Sequence, residues 1–231
     1  MDNSIAFSQA DEEIKAFIVK VYHWMTVGLV TTGAVAWSMS QFPDVIHQLL
    51  NMRLLFYGLL IAELAAVVWL SGWVHQMSVT TASVVFFLYA AMNGVTISLI
   101  FLIYTKSTIF NAFFITAGTF GFMSVYGYVT KTDLGSLGNL CFMGLIGIIL
   151  ASVANWFIRS SQFDWIITYI AVLVFVGLTA YDTQKIKGMY VHANEGTEEE
   201  TKEAIFGALR LYLDFINLFL QILKIMGKRR D

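Results

Sequence analysis

Seven apolar runs, each close to the ~20 residues that cross the hydrocarbon core of a bilayer, punctuate this sequence. They cover about 17–39, 54–73, 79–104, 109–129, 137–158, 165–186 and 204–226, and most breaks between them are short. Lipid offers no hydrogen-bond partner to a peptide group, so runs of this kind are confined to helices or to a closed barrel. A barrel needs segments of about ten residues with alternating apolar and polar positions, and none occur. With 13% charged residues against the ~25% of soluble domains, an ordinary soluble fold is excluded. One proline and 17 glycines suit continuous helices that touch through small residues.

The expected fold is therefore an all-α integral membrane protein with seven transmembrane helices. An acidic N-terminal tail over residues 1–16, a seven-helix domain over 17–226 and a basic tail over 227–231 are its expected parts. The first segment, MDNSIAFSQADEEIKAF, is acidic and polar, unlike the basic-then-apolar opening of a signal peptide, so the first run is expected to stay in the fold. Lysines and arginines divide almost evenly between the two sides, and the positive-inside rule sets no orientation. Trp69, Trp73, Trp156 and Trp165 fall near run ends, as interfacial anchors do. The formal net charge of −2 gives nucleic acid no footing. Cys141, the single cysteine, sits in an apolar run and reads as a small packing residue. His23, His47, His75 and His192 are dispersed with no ligand spacing, so no permanently bound cofactor is expected.

The polar residues inside these runs need explaining. Asp214 stands near the middle of AIFGALRLYLDFINLFLQILKIM, where a charge costs roughly 2.5–3.5 kcal/mol on insertion scales and so faces protein or a wet cavity. Arg210, Asn217 and Gln221 share its helical face. Glu63 lies midway along the second run, roughly 13 Å from its start and too short-armed to reach the interface. Asn93, beside Thr96 and Ser98, and Asn155 read as interhelical hydrogen-bonding glue. Asp182, preceded by Tyr181, lies nearer an end and has two readings: a partner for Asp214, or an interfacial acid paired with Lys185 or Lys187. Two carboxylates in a poorly hydrated site share a proton and titrate as a pair. Such a pair suits holding a cation, sensing protons, or acid–base hydrolysis. In the acidic link between the last two runs, Thr197 and Glu200 have capping-box spacing; a solvated helix start is the plain reading, a cation-collecting mouth the sharper one.

GLTAYDTQKIK (177–187) and ALRLYLDFINLFLQILK (208–224) closely resemble the signature segments of the Bax inhibitor-1 family, also called the transmembrane Bax inhibitor motif family. Glu63 and Asn93-Gly94-Val95-Thr96 match further positions of that pattern. The resemblance implies seven helices, the last one central and surrounded by the other six. It implies a pH-dependent calcium leak, protection from stress-induced death in eukaryotic members, and modulation of membrane proteolysis in some bacterial ones. The paired aspartates of the family fall on Asp182 and Asp214, the acid of the second span on Glu63, and a late basic residue on Lys224. Where some members carry a basic cluster after the second span, this chain reads SGWVHQM and keeps only His75.

The function expected on this footing is a proton-sensitive cation leak, for calcium, which favours several oxygen ligands and tolerates irregular geometry. Asp182 and Asp214 form the acidic pair, Arg210 modulates its charge, and Glu63 is expected to latch onto Lys224; Asn93, Asn217 and Tyr181 support them. An intramembrane aspartyl protease is the enzymatic rival, but Leu211-Tyr212-Leu213 holds no glycine to open the backbone to a substrate, so no enzyme is expected. A module that binds a membrane protease through its acidic N-terminus, or a proton–calcium exchanger, remains the alternative. Besides lipid, calcium and protons are the expected partners, and a bacterial plasma (inner) membrane the expected location.

Overall fold

In the computed structural model, which describes residues 2–189 and 197–227 (side chains from residue 12), every regular element is helical. The order is α1 (Asp2–Ser40), α2 (Pro43–Asn51), α3 (Arg53–Trp73) with a 3-10 turn (Val74–Gln76), α4 (Val79–Ile97), α5 (Ile100–Ile103), α6 (Lys106–Val129), α7 (Gly135–Ile158), α8 (Ser161–Met189) and α9 (Glu198–Met226). His192, Glu195 and the basic tail beyond Gly227 lie outside the described residues.

Among the described residues six helical stretches are long and apolar enough to cross a membrane: Arg53–Gln76, Val79–Ile103, Lys106–Val129, Gly135–Ile158, Ser161–Met189 and Glu198–Met226. The expected first crossing is not among them, although α1 is 39 residues long. Lys20, His23, Thr26, Thr31, Thr32 and Ser38 dilute its apolar content. The stretch expected as an acidic tail is, from Asp2 onward, continuous with α1. The short helix α2 replaces the plain polar stop expected at Phe42-Pro43-Asp44; Pro43 opens it without a side-chain cap, its fixed φ and missing N–H suiting a first helical turn.

The chain forms two compact units. One holds the residues up to Ile103 with Lys187–Tyr212, the other Tyr104–Ile186 with the residues from Leu213 on, so α9 gives its first half to one and its second half to the other. In the first unit α1 and α3 both pack on α4. Phe17, Val21, Met25, Thr32 and Ala36 are the buried stripe of α1, spaced as one helical face demands. Gly28 and Gly94 let α1 and α4 approach: a Cβ on Gly28 would stand 2.7 Å from the Phe86 ring, and one on Gly94 2.7 Å from the Thr32 carbonyl oxygen.

In the second unit α7 and α8 meet through the same device. A Cβ on Gly138 would strike the Tyr181 ring, and one on Gly177 would sit 2.5 Å from Cys141 Sγ. The thiol is thus the small packing group expected of it, buried and free. Gln184 of α8 fixes the turn between α6 and α7, accepting from Leu134 N at 2.8 Å and donating to Thr132 O at 2.9 Å. Phe113 and Phe120 of α6 stand edge-on to Phe215 of α9, with ring centroids 5.6 and 5.4 Å away.

Candidate functional site

Burial along the spans is uneven. In α9, 67% of the most apolar window is buried, and in α8 50%, against 11% in both the α3 and α7 stretches. Two of the three carboxylates singled out in the sequence belong to those enclosed helices, and the third, Glu63, lies on α3. Asp182 on α8 is 8% exposed and Asp214 on α9 is 5% exposed, and both belong to the second unit. Cys141, which stands against Gly177 one turn and a half before Asp182, lies within electrostatic reach of Asp214. Tyr181 packs its ring on Gly138 while its hydroxyl accepts from Lys185 Nζ at 3.3 Å. Asn217 turns back on its own helix and donates to Leu213 O at 2.8 Å. Arg210 lies over the Phe206 ring, 4.9 Å from its centroid, one turn earlier on α9.

Glu63 and Lys224 have partners other than the Glu63–Lys224 pair expected from the sequence. Lys224 Nζ lies 2.7 Å from Asp164 Oδ1 at the start of α8, and both side chains are partly exposed. Such half-open pairs contribute about 0–1 kcal/mol, so this one orients α9 against α8 more than it stabilises them. Glu63, 8% exposed, is held inside the first unit: Thr96 Oγ1 donates to its Oε1 at 2.5 Å, and Asn93 hydrogen-bonds the same carboxyl group.

From Asn93 the network continues to residues that sequence reading did not assign. The Tyr212 hydroxyl is 3.2 Å from Asn93 Oδ1 and 2.6 Å from Thr32 Oγ1. Thr32 in turn donates to Ala90 O at 2.8 Å. Tyr212 has one proton to give, and with the Thr32 proton committed to Ala90 O, Thr32 Oγ1 and Asn93 Oδ1 compete for it. The hydroxyl thereby ties α1 and α4 to α9, and α3 joins the same network through Glu63 and Asn93. Tyr212 and Asp214 are two residues apart, roughly 200° around the helix at 3.6 residues per turn, so α9 shows a phenol to one side and an acid to the other. The sequence signal for Tyr212 is a polar-tipped aromatic in mid-membrane, two residues before the more conspicuous Asp214. Tyr212→Phe should cost about 1–2 kcal/mol, measured by unfolding in mixed micelles, since it strips two polar neighbours of a partner while leaving the ring packing on Phe86 and Tyr89 in place.

Asn155 proves local rather than interhelical: its Oδ1 accepts from Ser160 N at 3.0 Å, closing α7 where Arg159 takes the left-handed conformation with φ 57°. Three of the acids at the start of α9 stand against bases. Glu200 Oε1 pairs with Lys20 Nζ at 3.2 Å, Glu199 with Lys202 at 3.5 Å, and Glu203 stands 3.8 Å from His75 Nδ1. Half of the expected capping box is present, with Glu200 N donating to Thr197 Oγ1 at 3.3 Å, while the Glu200 side chain has gone to Lys20 instead. These pairings favour a fixed helix start over a cation-collecting mouth. Among the described residues no three His, Cys, Asp or Glu side chains gather where they could hold a metal ion.

Comparison with known proteins supplies the wider context. A family model described as "Inhibitor of apoptosis-promoting Bax1" matches residues 14–231. The chain is 48% identical over 218 residues to the inner membrane protein YbhL of Escherichia coli strain K12, covering 94% of this chain and 93% of that one. It is 41% identical over 230 residues to a protein of Borreliella burgdorferi, with 98% and 99% of the two chains aligned. An uncharacterized membrane protein of Streptococcus pyogenes serotype M3 is 36% identical over 231 residues, with 99% of each chain aligned.

Proposed function

The chain belongs to the Bax inhibitor-1 family, and from that premise we propose that it is a proton-sensitive leak for cations, calcium foremost, in a bacterial inner membrane. One observation carries the reading: Asp182 and Asp214, the positions that match the family's acidic pair, are both buried and stand on the two most enclosed of the six long apolar helices among the described residues. Ionised carboxylates are expensive in such surroundings unless they are partnered, and cheap to neutralise with a proton. A pair of them is therefore a natural place for a proton to decide whether a cation passes. Calcium here is cargo, met by a few oxygens on its way, and not a resident ion. In this reading α1 supplies a seventh crossing, α9 lies at the centre of the other six, and the charge of the pair biases α9 between packed and displaced positions. Asn217 and Arg210, on the Asp214 face of α9, tune that charge. The protein catalyses no reaction in this scheme.

The test is calcium flux into liposomes across a pH series, with the intact chain and with Asp182→Asn and Asp214→Asn. Asparagine keeps the shape and removes the titration, so each variant should flatten the dependence of flux on pH. Flux and profile both unchanged in both variants would end the assignment. Accumulation of calcium against its gradient when a proton gradient is imposed would convert the leak into an exchanger.

A further inference from the structure

A groove of about 730 Å³ opens on α3, far from the acidic pair in sequence and made by one unit alone. It runs from Met52 to Ala62, with Leu55, Gly58 and Leu59 along its length and Arg53 at its mouth. These positions recur every three or four residues, so the groove follows one face of the helix. From Arg53 to Ala62 the helix rises roughly 14 Å, about half the ~30 Å of a hydrocarbon core and so the depth of one leaflet.

Three independent features set the polarity of this groove. Arg53 is the one lysine or arginine between Lys20 and Lys106, so the cation at its mouth has no rival on α2, α3, α4 or α5. The first turn of α3 carries no acid and no side-chain cap; Leu55 N and Phe56 N donate to Met52 O, which leaves the N–H groups of Arg53 and Leu54 and the positive end of the helix beside that guanidinium. Just before it, α2 buries only Ile46 and exposes Val45 and Leu50 alongside Asp44, His47 and Gln48, the mixed character of a helix lying in the headgroup layer. The cation is thus placed at headgroup level and the apolar channel below it.

We propose that this groove binds one anionic glycerophospholipid of the surrounding bilayer, its phosphate on Arg53 and the first turn of α3, one acyl chain along Leu55, Gly58 and Leu59. Phosphate at a helix start with an arginine beside it is a charge-assisted, multi-donor contact. Gly58 forms the floor: among the described residues, a Cβ there would meet no atom within 4 Å.

That open glycine makes the site testable without disturbing the core. The full chain is purified in dodecyl maltoside, mixed with equal amounts of palmitoyl-oleoyl phosphatidylglycerol and phosphatidylcholine, and examined by native mass spectrometry. The intact chain should retain one lipid and favour phosphatidylglycerol about fivefold, the scale of one basic residue at a membrane surface. Arg53→Gln should bring that preference to parity while retention persists. Gly58→Leu should reduce retention of both lipids without loss of thermal stability, since a Cβ there meets no described atom within 4 Å and leucine favours a helix more than glycine does. An unchanged lipid preference in Arg53→Gln, unchanged retention in Gly58→Leu, or a dimer of the intact chain that Gly58→Leu disrupts would each overturn the proposal, the last by assigning the groove to a second copy.

Discussion

Gly127→Ala and Gly127→Val should both destabilise the second unit by about 3 kcal/mol or more, and alanine should be nearly as harmful as valine. A Cβ on Gly127 would fall on the carbonyl of Ala180, within contact distance of the Ala180 backbone itself rather than of a side chain that can swing away. Helices α6 and α8 touch there main chain to main chain, and α8 carries Asp182 two residues further on. The same helix provides its own control. Gly118 and Gly121 of α6 would place a Cβ in open space, so Gly121→Ala should gain up to about 1 kcal/mol from helix propensity alone. Unfolding in dodecyl maltoside titrated with dodecyl sulfate measures all three. One substitution, made at two places six residues apart, is expected to change sign. If Gly127→Ala matches Gly121→Ala, α6 and α8 do not meet as described.

The boundaries of the spans were legible because they depend on composition within one stretch. Runs expected to end at 73, 129, 158 and 226 end at Trp73, Val129, Ile158 and Met226. The helices start a few residues before the apolar runs wherever a polar residue opens them, as Lys106 does for α6 and Ser161 for α8, since water-facing first turns carry no apolar signal. The sequence predicts a third run unbroken to 104, but turns at Ser98-Leu99 separate α4 from α5, and apolar residues on both sides hide that break. Residues that act through a partner were harder. Burial of Asp182, Asp214 and Glu63 followed from the cost of charge in lipid, which needs no knowledge of neighbours. The identity of a neighbour is a tertiary fact. The Lys224 side chain reaches Asp164, 60 residues away, and Thr32 reaches Tyr212, 180 away. Glycines divide the same way: nothing in the sequence distinguishes Gly127, pressed on Ala180, from Gly121, which touches nothing.

Thr96→Val should cost about 2 kcal/mol, more than interhelical hydrogen bonds in membranes usually do. Those bonds average about 0.6 kcal/mol, because helices separated in the bilayer find other partners for neutral groups. The acceptor here is a carboxyl group, and hydrogen bonds to charged groups contribute roughly 1.5–3 kcal/mol. Glu63 is 8% exposed, so water cannot replace the lost hydroxyl. Valine matches threonine in shape, leaving Asn93 as the remaining donor to Glu63 and the packing of α3 on α4 intact. The cost is then electrostatic, and a double-mutant cycle isolates it. In a Glu63→Gln background, where the acceptor is neutral, Thr96→Val should cost only the ordinary ~0.6 kcal/mol. The difference, about 1.4 kcal/mol, is the share that depends on the charge of Glu63. Equal costs in the two backgrounds would mean that Glu63 already carries a proton in the folded protein. The network from Glu63 to Tyr212 would then be neutral glue, with no charge in it for α9 to respond to.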